Sequence, residues 1–314
     1  MERVFTELSK EVESLIASAP ALQEWPECRH LLLDMLGYDE PWIHALPILS
    51  CQAVGGNGID ALPVAAAWIT LVHAGNVIDD IQDGDSARLS QFGRPETAIA
   101  IALAWIFFAF RILEDSSIAH ESRNRISEIF TRAGINSSRG QFQDLISDRE
   151  QSDRSGMLAA YWEMVINKSG SICMAGAAGG AVIGTDLTPM IDALGDYGTA
   201  LGVVRQVIDD CRDIRIDTKN NRKQATLPLI LKELVTGDKS IHPIAMEKQT
   251  ENSTWVKEKT YQSLTEAGIP DIIAEILLEW RRRALESLQI LEPSEARDAL
   301  VDIFDYIMKP KPHN

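Results

Sequence analysis

Val77-Ile78-Asp79-Asp80-Ile81-Gln82-Asp83 and Val207-Ile208-Asp209-Asp210-Cys211-Arg212-Asp213 each set the pattern Asp-Asp-x-x-Asp at the end of a largely apolar run. On a helix, positions i, i+1 and i+4 fall within one turn on one face, so each run reads as a helix ending in three clustered carboxylates. Like charges that close repel and cost stability unless a cation neutralises them. Hard oxygen ligands offered one or two at a time, with room for water and phosphate, suit Mg²⁺ bridging to a polyphosphate. A single such run would read as a solvated acidic helix end. Two copies closing two apolar helices point to a metal-assisted anion site.

Outward from these runs, apolar residues recur at three and four spacing almost throughout, and β-branched alternation is nearly absent. Pro and Gly punctuate the pattern at Pro41, Pro47, Gly55 to Gly58, Gly93 with Pro95, Gly134, Pro189, Pro228, Pro243, Gly268 to Pro270 and Pro293. The strongest helical stretches are 60–86, 96–115, 120–147, 155–184 and 188–217. Their Ala, Gly, Ile and Leu content allows close packing around a common core. No Ser/Gly or Pro linker and no 20–50-residue repeat divides the chain. One all-α domain over residues 1–314 is expected. The polar segment 237–254 and the tail 309–312 are expected to be loop and frayed end.

With 46 acidic against 30 basic residues and a formal charge of −16, the surface repels phosphate backbones and anionic bilayers. Nucleic-acid binding is therefore excluded, and an anionic substrate has to be received through metal or a local cationic patch. Cys28, Cys51, Cys173 and Cys211 are widely spaced with no Cys-x-x-Cys pair, so reduced thiols are expected. The N-terminus shows no signal peptide, and the apolar runs 98–110 and 172–184 are shorter than the ~18–20 residues that span a bilayer. A cytoplasmic protein without a transmembrane segment is expected.

Several motifs now fall in order. Leu62-Pro63-Val64-Ala65-Ala66-Ala67 leads into the first aspartate run. Gly140-Gln141-Phe142-Gln143-Asp144-Leu145 is of the form GQxxD, and Asn167-Lys168-Ser169-Gly170 precedes a small-residue helix. Gly198-Thr199-Ala200-Leu201-Gly202 and Gln206 precede the second run, which Thr226-Leu227-Pro228-Leu229 follows. In this order, from Trp42 to Pro228, the chain resembles the trans-isoprenyl diphosphate synthases, or polyprenyl synthetases, of the class I terpenoid synthase superfamily. The resemblance implies a helical bundle around a deep apolar cavity, dimeric, with three Mg²⁺ ions holding an allylic prenyl diphosphate at the mouth. It assigns metal binding to Asp79, Asp80, Asp83, Asp209, Asp210 and Asp213, and diphosphate or reaction-centre contacts to Lys168 and Gln206. Gln141, Asp144, Arg88 and Lys223 are further candidates near the substrate, and Asp217 is a candidate additional ligand. Gly75 and Ala74, four and five positions before Asp79, fall where the family sets the cavity floor. Being small, they favour a substrate of fifteen to twenty-five carbons, geranylgeranyl diphosphate at the centre.

The chain departs from the family where isopentenyl diphosphate would bind. The family's GKRxRP reads here Trp42-Ile43-His44-Ala45-Leu46-Pro47, which puts Ile43 and Leu46 in place of Lys and Arg. The family's His falls on Val72, with His73 one residue off, and the Arg-rich loop after Asp83 is shortened to leave Arg88. Arg205 stands where Phe is usual. The expected function is therefore a terpene synthase on a prenyl-synthase scaffold. The alternatives are a prenyltransferase, to isopentenyl diphosphate or another acceptor, and a non-catalytic subunit of a heteromeric prenyl synthase. Trp68, Trp105, Phe107, Phe108, Phe142, Tyr161 and Trp162 sit on apolar helices and serve core packing or carbocation stabilisation.

Overall fold

The computed structural model describes residues 2–85, 89–146, 154–216, 226–237 and 261–309; the side chains of 2, 154, 155 and 213–216 lie outside that description. Among the described residues every regular element is helical. The chain opens with α1 (Glu2–Ser18), α2 (Pro20–Gln23), α3 (Pro26–Leu36) and α4 (Pro41–Ala53), and a 3₁₀ turn leads into α5 (Leu62–Asp83). Next come α6 (Pro95–Glu114), α7 (His120–Ile146), α8 (Arg154–Val165), α9 (Ser171–Gly184) and α10 (Thr188–Ile216). The chain ends with α11 (Leu227–Thr236), a short helix at 261–266, α12 (Ile269–Ser287) and α13 (Glu295–Ile307).

Local chemistry sets the limits of these helices. Proline occupies the first turn of α3, α4, α5, α6 and α12, where its missing N–H costs nothing. Helix α5 stops at Gly84, whose φ of 72° lets its N–H close back onto the carbonyls of Asp80 and Ile81. That cap fixes Asp79 to Asp83 as the last turn of the helix. The stretch expected as one helix over 155–184 is two, joined by a π-helical turn at Ile166–Gly170. Such turns interrupt the i→i−4 ladder and re-aim side chains, here that of Lys168.

Helices α9 and α10 pack most extensively on each other, as do α5 and α6, and α9 also leans on α4. The main core fills this bundle, with Trp42, Ile69, Trp105, Tyr197 and Phe304 at its centre. A smaller core of Tyr161, Met164, Val207, Leu227, Ile230 and Ile273 lies between α8, α10, α11 and α12, against the second aspartate run.

Two helical segments are long and apolar enough to cross a membrane by length and composition, which the apolar runs alone did not indicate: Gly58–Asp83 and Pro95–Glu114. The difference arises because a helix carries its apolar character through interspersed small and polar residues. Two-thirds of the most apolar window of α5 is buried in the bundle, against 39% for α6, whose Ile99, Leu103 and Phe107 form an exposed stripe. The segment 238–254, residues 310–312, Arg88, Asp217 and Lys223 lie outside the described residues.

Candidate active site

A cavity of about 1710 Å³ opens between α4, α5, α7, α9 and α10. Helix α5 supplies one wall: Trp68, Val72, Gly75, Asp79 and Asp83 recur at three- and four-residue steps and all line the cavity. Apolar side chains therefore line one end of this stripe and carboxylates the other. Helix α7 contributes Phe130, Gln141 and Asp144, and α10 contributes Arg205, Gln206 and Asp209.

Lys168 joins these walls. Its Nζ lies 3.2 Å from Asp79 Oδ1 and donates to Asp144 Oδ2 at 3.0 Å. Burial works against the ammonium, but the two carboxylates outweigh it and raise its pKa, so the side chain stays charged. The turn that carries it is pinned on both sides. A Cβ on Gly140 would stand 2.4 Å from Lys168 N, and one on Gly202 would stand 2.3 Å from Ser169 O. Only glycine lets α7 and α10 approach the π-turn this closely. Ser137 Oγ adds a hydrogen bond to Lys168 O at 3.0 Å. Gln141 reaches across to α5, donating to Gln82 Oε1 at 2.9 Å.

The second run divides its labour. Asp209 faces the cavity and pairs with Arg212 at 3.1 Å and, more loosely, with Arg205 at 3.9 Å. Asp210 is only 5% exposed and accepts from Tyr161 Oη at 2.7 Å, Leu227 N at 3.0 Å and Gln206 Nε2 at 3.0 Å. Burial pushes its carboxyl up while those three donors hold it down, and burial with the neighbouring Asp210 charge raises the Tyr161 phenol well above its usual range. Asp210 is thus a cross-brace between α8, α10 and the start of α11, with both carboxylate oxygens engaged by protein donors. Asp80 is likewise buried. The backbone of Asp213 continues α10, and its side chain is outside the described residues.

Among the described residues no three His, Cys, Asp or Glu side chains gather closely enough to hold a metal ion by themselves. The residues still fit a divalent cation whose shell is completed by water and an anionic ligand. Asp79 Oδ1, ion-paired to Lys168 but lacking a hydrogen bond of good geometry, and Gln141 Oε1, which has no donor, are buried acceptors at the cavity mouth. Such oxygens are what a hard cation or its water would satisfy.

Of the two floor positions, Gly75 lines the cavity and an added Cβ there would meet open space. Ala74 is 1% exposed and packs into the core, not the cavity, because the neighbouring position on a helix points about 100° away. Ile43 and Val72 line the cavity, Leu46 is buried in the core, and His73 is turned away from the cavity. Arg281, Arg282 and Arg283 pair with Asp305, Glu279 and Glu286 along α12 and α13, an ion-paired helix face.

Two contributors are not singled out by any motif. Tyr161 is one aromatic among several on apolar helices, and only the fold brings its hydroxyl to Asp210, 49 residues away. Asp39 lines the cavity and accepts from two histidines, His44 and His73, each at 2.9 Å. Its signal in the sequence is slight: an acidic residue just before a helix-starting proline, with His73 34 residues on.

The polyprenyl synthetase family profile matches residues 44–262. The short chain isoprenyl diphosphate synthase of Methanothermobacter thermautotrophicus is 28% identical over 290 residues, covering 84% of each chain. The geranylgeranyl pyrophosphate synthase of Geoglobus acetivorans is 28% identical over 279 residues, also covering 84% of each. A solved structure of the Geoglobus acetivorans geranylgeranyl pyrophosphate synthetase superposes with a TM-score of 0.78 at 25% identity, over 98% of this chain and 97% of that one. With a cavity walled by two aspartate runs and a matching profile over most of its length, the chain belongs to the polyprenyl synthetase family of trans-isoprenyl diphosphate synthases.

Proposed function

We propose that this protein is a Mg²⁺-dependent prenyltransferase that ionises an allylic prenyl diphosphate and delivers the prenyl group to an acceptor. The observation that carries the reading is the Lys168 ammonium held between Asp79 and Asp144 at the charged end of an otherwise apolar cavity. The relatives named as isoprenyl and geranylgeranyl diphosphate synthases favour transfer over the cyclase reading that the sequence motifs put first.

Bound Mg²⁺ would supply positive charge to a departing diphosphate, and of the five described motif aspartates at the cavity Asp79, Asp83 and Asp209 are the more exposed and would hold it. Lys168 and Arg205, which line the same cavity, would stabilise that anion, and the apolar lining of Trp68, Phe130 and Val72 would keep water from the allylic cation. The open space at Gly75 suits a tail of fifteen to twenty-five carbons, geranylgeranyl at the centre. The exposed stripe Ile99, Leu103 and Phe107 on α6 is the face a second copy would cover in a homodimer. The cyclase reading stands second, because Ile43 and Val72 give the cavity apolar surface where a second diphosphate would need charge.

Incubation of the protein with Mg²⁺ and geranyl, farnesyl or geranylgeranyl diphosphate tests the proposal. Acceptor-dependent release of diphosphate and a prenylated product are expected. Hydrocarbon or alcohol formed at full rate from the allylic substrate alone would select the cyclase.

A further inference from the structure

The two walls that carry the aspartate runs differ in charge. On α5 the cavity-lining stripe Gly75, Asp79 and Asp83 offers carboxylates and no cation. On α10 the matching stripe is Arg205, Asp209 and Arg212, spaced four and three residues apart and all lining the cavity. Each guanidinium covers one oxygen of Asp209. Arg205 Nε lies 3.9 Å from Oδ2, and Arg212 Nη1 donates to Oδ1 at 3.1 Å. The looser pair is the one with its cation on the N-terminal side, the less favourable order on a helix. Arg205 also lies beside the buried Cys173 thiol, whose upward shift on burial its charge partly offsets. Asp79, on the opposite wall, meets Lys168 and shares it with Asp144.

The pairs on α10 are open to exchange. The side chains of Arg205, Asp209 and Arg212 are 36%, 41% and 43% exposed, and ion pairs this open to solvent contribute little. A guanidinium presents five N–H donors in a fork that matches phosphate oxygens, and Asp209 takes a single hydrogen bond from the two forks. A carboxylate, in turn, is a hard oxygen ligand that suits a divalent cation. Exchange therefore leaves no charge stranded: the arginines pass to phosphate and Asp209 passes to metal. Asp39 shows the opposite construction. His44 and His73 both hold its Oδ2 at 2.9 Å from buried positions, with Ser9 Oγ 2.6 Å behind His44, so it stays closed.

We infer that Arg205 and Arg212 form a counter-ion latch on Asp209: they cover its carboxylate in the unliganded protein and release it to the metal when they turn to the diphosphate. This rests on the prenyltransferase reading and adds how its metal and diphosphate sites are coupled. The coupling is reciprocal. Diphosphate on the guanidiniums raises the metal affinity of Asp209, and metal on Asp209 raises the anion affinity of the guanidiniums by the same factor. Until the anion arrives Asp209 is screened, so metal alone settles first at Asp79 and Asp83 on the α5 wall. The Arg205 half of the latch is particular to this chain, since Phe is usual at that position.

Two binding measurements test the latch: Mn²⁺, followed by the EPR signal of the free ion, and methylenediphosphonate, a non-hydrolysable diphosphate, followed by calorimetry. The double variant Arg205→Gln/Arg212→Gln should bind Mn²⁺ alone about two- to fivefold more tightly than the wild type, because two repelling cations are gone. At saturating Mn²⁺ the same variant should bind methylenediphosphonate about tenfold more weakly. A purely structural role would not move the two affinities in opposite directions. Arg205→Lys/Arg212→Lys should keep the wild-type Mn²⁺ affinity and recover part of the anion affinity. In chelator, Asp209→Asn should bind methylenediphosphonate about two- to fivefold more tightly than the wild type, since its arginines are uncovered. That arm does not depend on the folding of the double variants. Unchanged or weaker Mn²⁺ binding by the Gln variant, unchanged phosphonate binding, or no gain for Asp209→Asn overturns the inference. Diphosphate release from farnesyl and geranylgeranyl diphosphate is followed in parallel. If the wild type releases it while the affinities do not shift as stated, the latch fails and the prenyltransferase reading stands; if no allylic substrate releases diphosphate, that reading itself fails.

Discussion

Tyr161 donates its hydroxyl to Asp210 across 2.7 Å, tying α8 to α10 where both side chains are buried. Removing the hydroxyl leaves one oxygen of a buried carboxylate with only the Leu227 N–H. Tyr161→Phe should therefore cost about 1–3 kcal/mol in urea unfolding. Activity should fall by less than the loss on removing a cavity-facing aspartate, because Asp209 stays in place.

The two positions of each Asp-Asp pair should separate cleanly. Asp79 is half-open to the cavity and its partner Lys168 keeps Asp144, so Asp79→Ala should change stability by less than about 1 kcal/mol. Turnover should fall by roughly 10²-fold or more, as when a group stabilising developing charge is removed. Asp210→Ala strands the Leu227 N–H, the Gln206 amide and the Tyr161 hydroxyl in a buried site, and should cost roughly 3 kcal/mol. Thermal melts and kcat on both variants check the contrast.

Chain-length selection should follow Gly75, not Ala74. Gly75→Phe projects a ring into open cavity and replaces a poor helix former, so it should fold at least as well as the wild type. Its preference should move to ten- or fifteen-carbon diphosphates in a substrate series. Ala74→Phe overpacks the core by a ring and should cost about 1–3 kcal/mol or more without a comparable shift in preference.

Acid should weaken the fold through Asp39. Its folded carboxyl lies near 2 against an ordinary 3.8, so it binds protons less readily than in the unfolded chain. The stabilisation is full above pH 4 and is lost as pH falls from about 4 towards 2, about 2 kcal/mol in all. Unfolding free energies of wild type and Asp39→Asn should converge as pH drops across that window.

Periodicity and punctuation were enough to place most of the long helices, because α5, α6 and α10 each carry a proline in the first turn and α5 ends at a glycine. The aspartate runs stood out as carboxylates where an apolar helix should have ended in neutral residues. What escaped the sequence depends on rotation and on distance along the chain. Ala74 and Gly75 are equally small, and only the packed helix tells which one faces the cavity. Asp80 and Asp210 carry the same motif letters as their neighbours, yet both are buried, and Asp210 braces three helices. The π-turn was hidden because Ile166 to Gly170 has ordinary helical composition. The Asp39 node was hidden because Ser9, His44 and His73 come from three separate helices.

The clamp of Gly140 and Gly202 on the π-turn has a consequence for how this site tolerates change. There main chain abuts main chain, so the station of the Lys168 ammonium is inherited from backbone contacts rather than from side-chain rotamers. An added methyl group at either glycine would displace the charge without touching any ionisable residue. Two residues that carry no chemistry of their own are thus expected to be among the least replaceable in the protein and, as far as the fold goes, less replaceable than the cavity-facing Asp79.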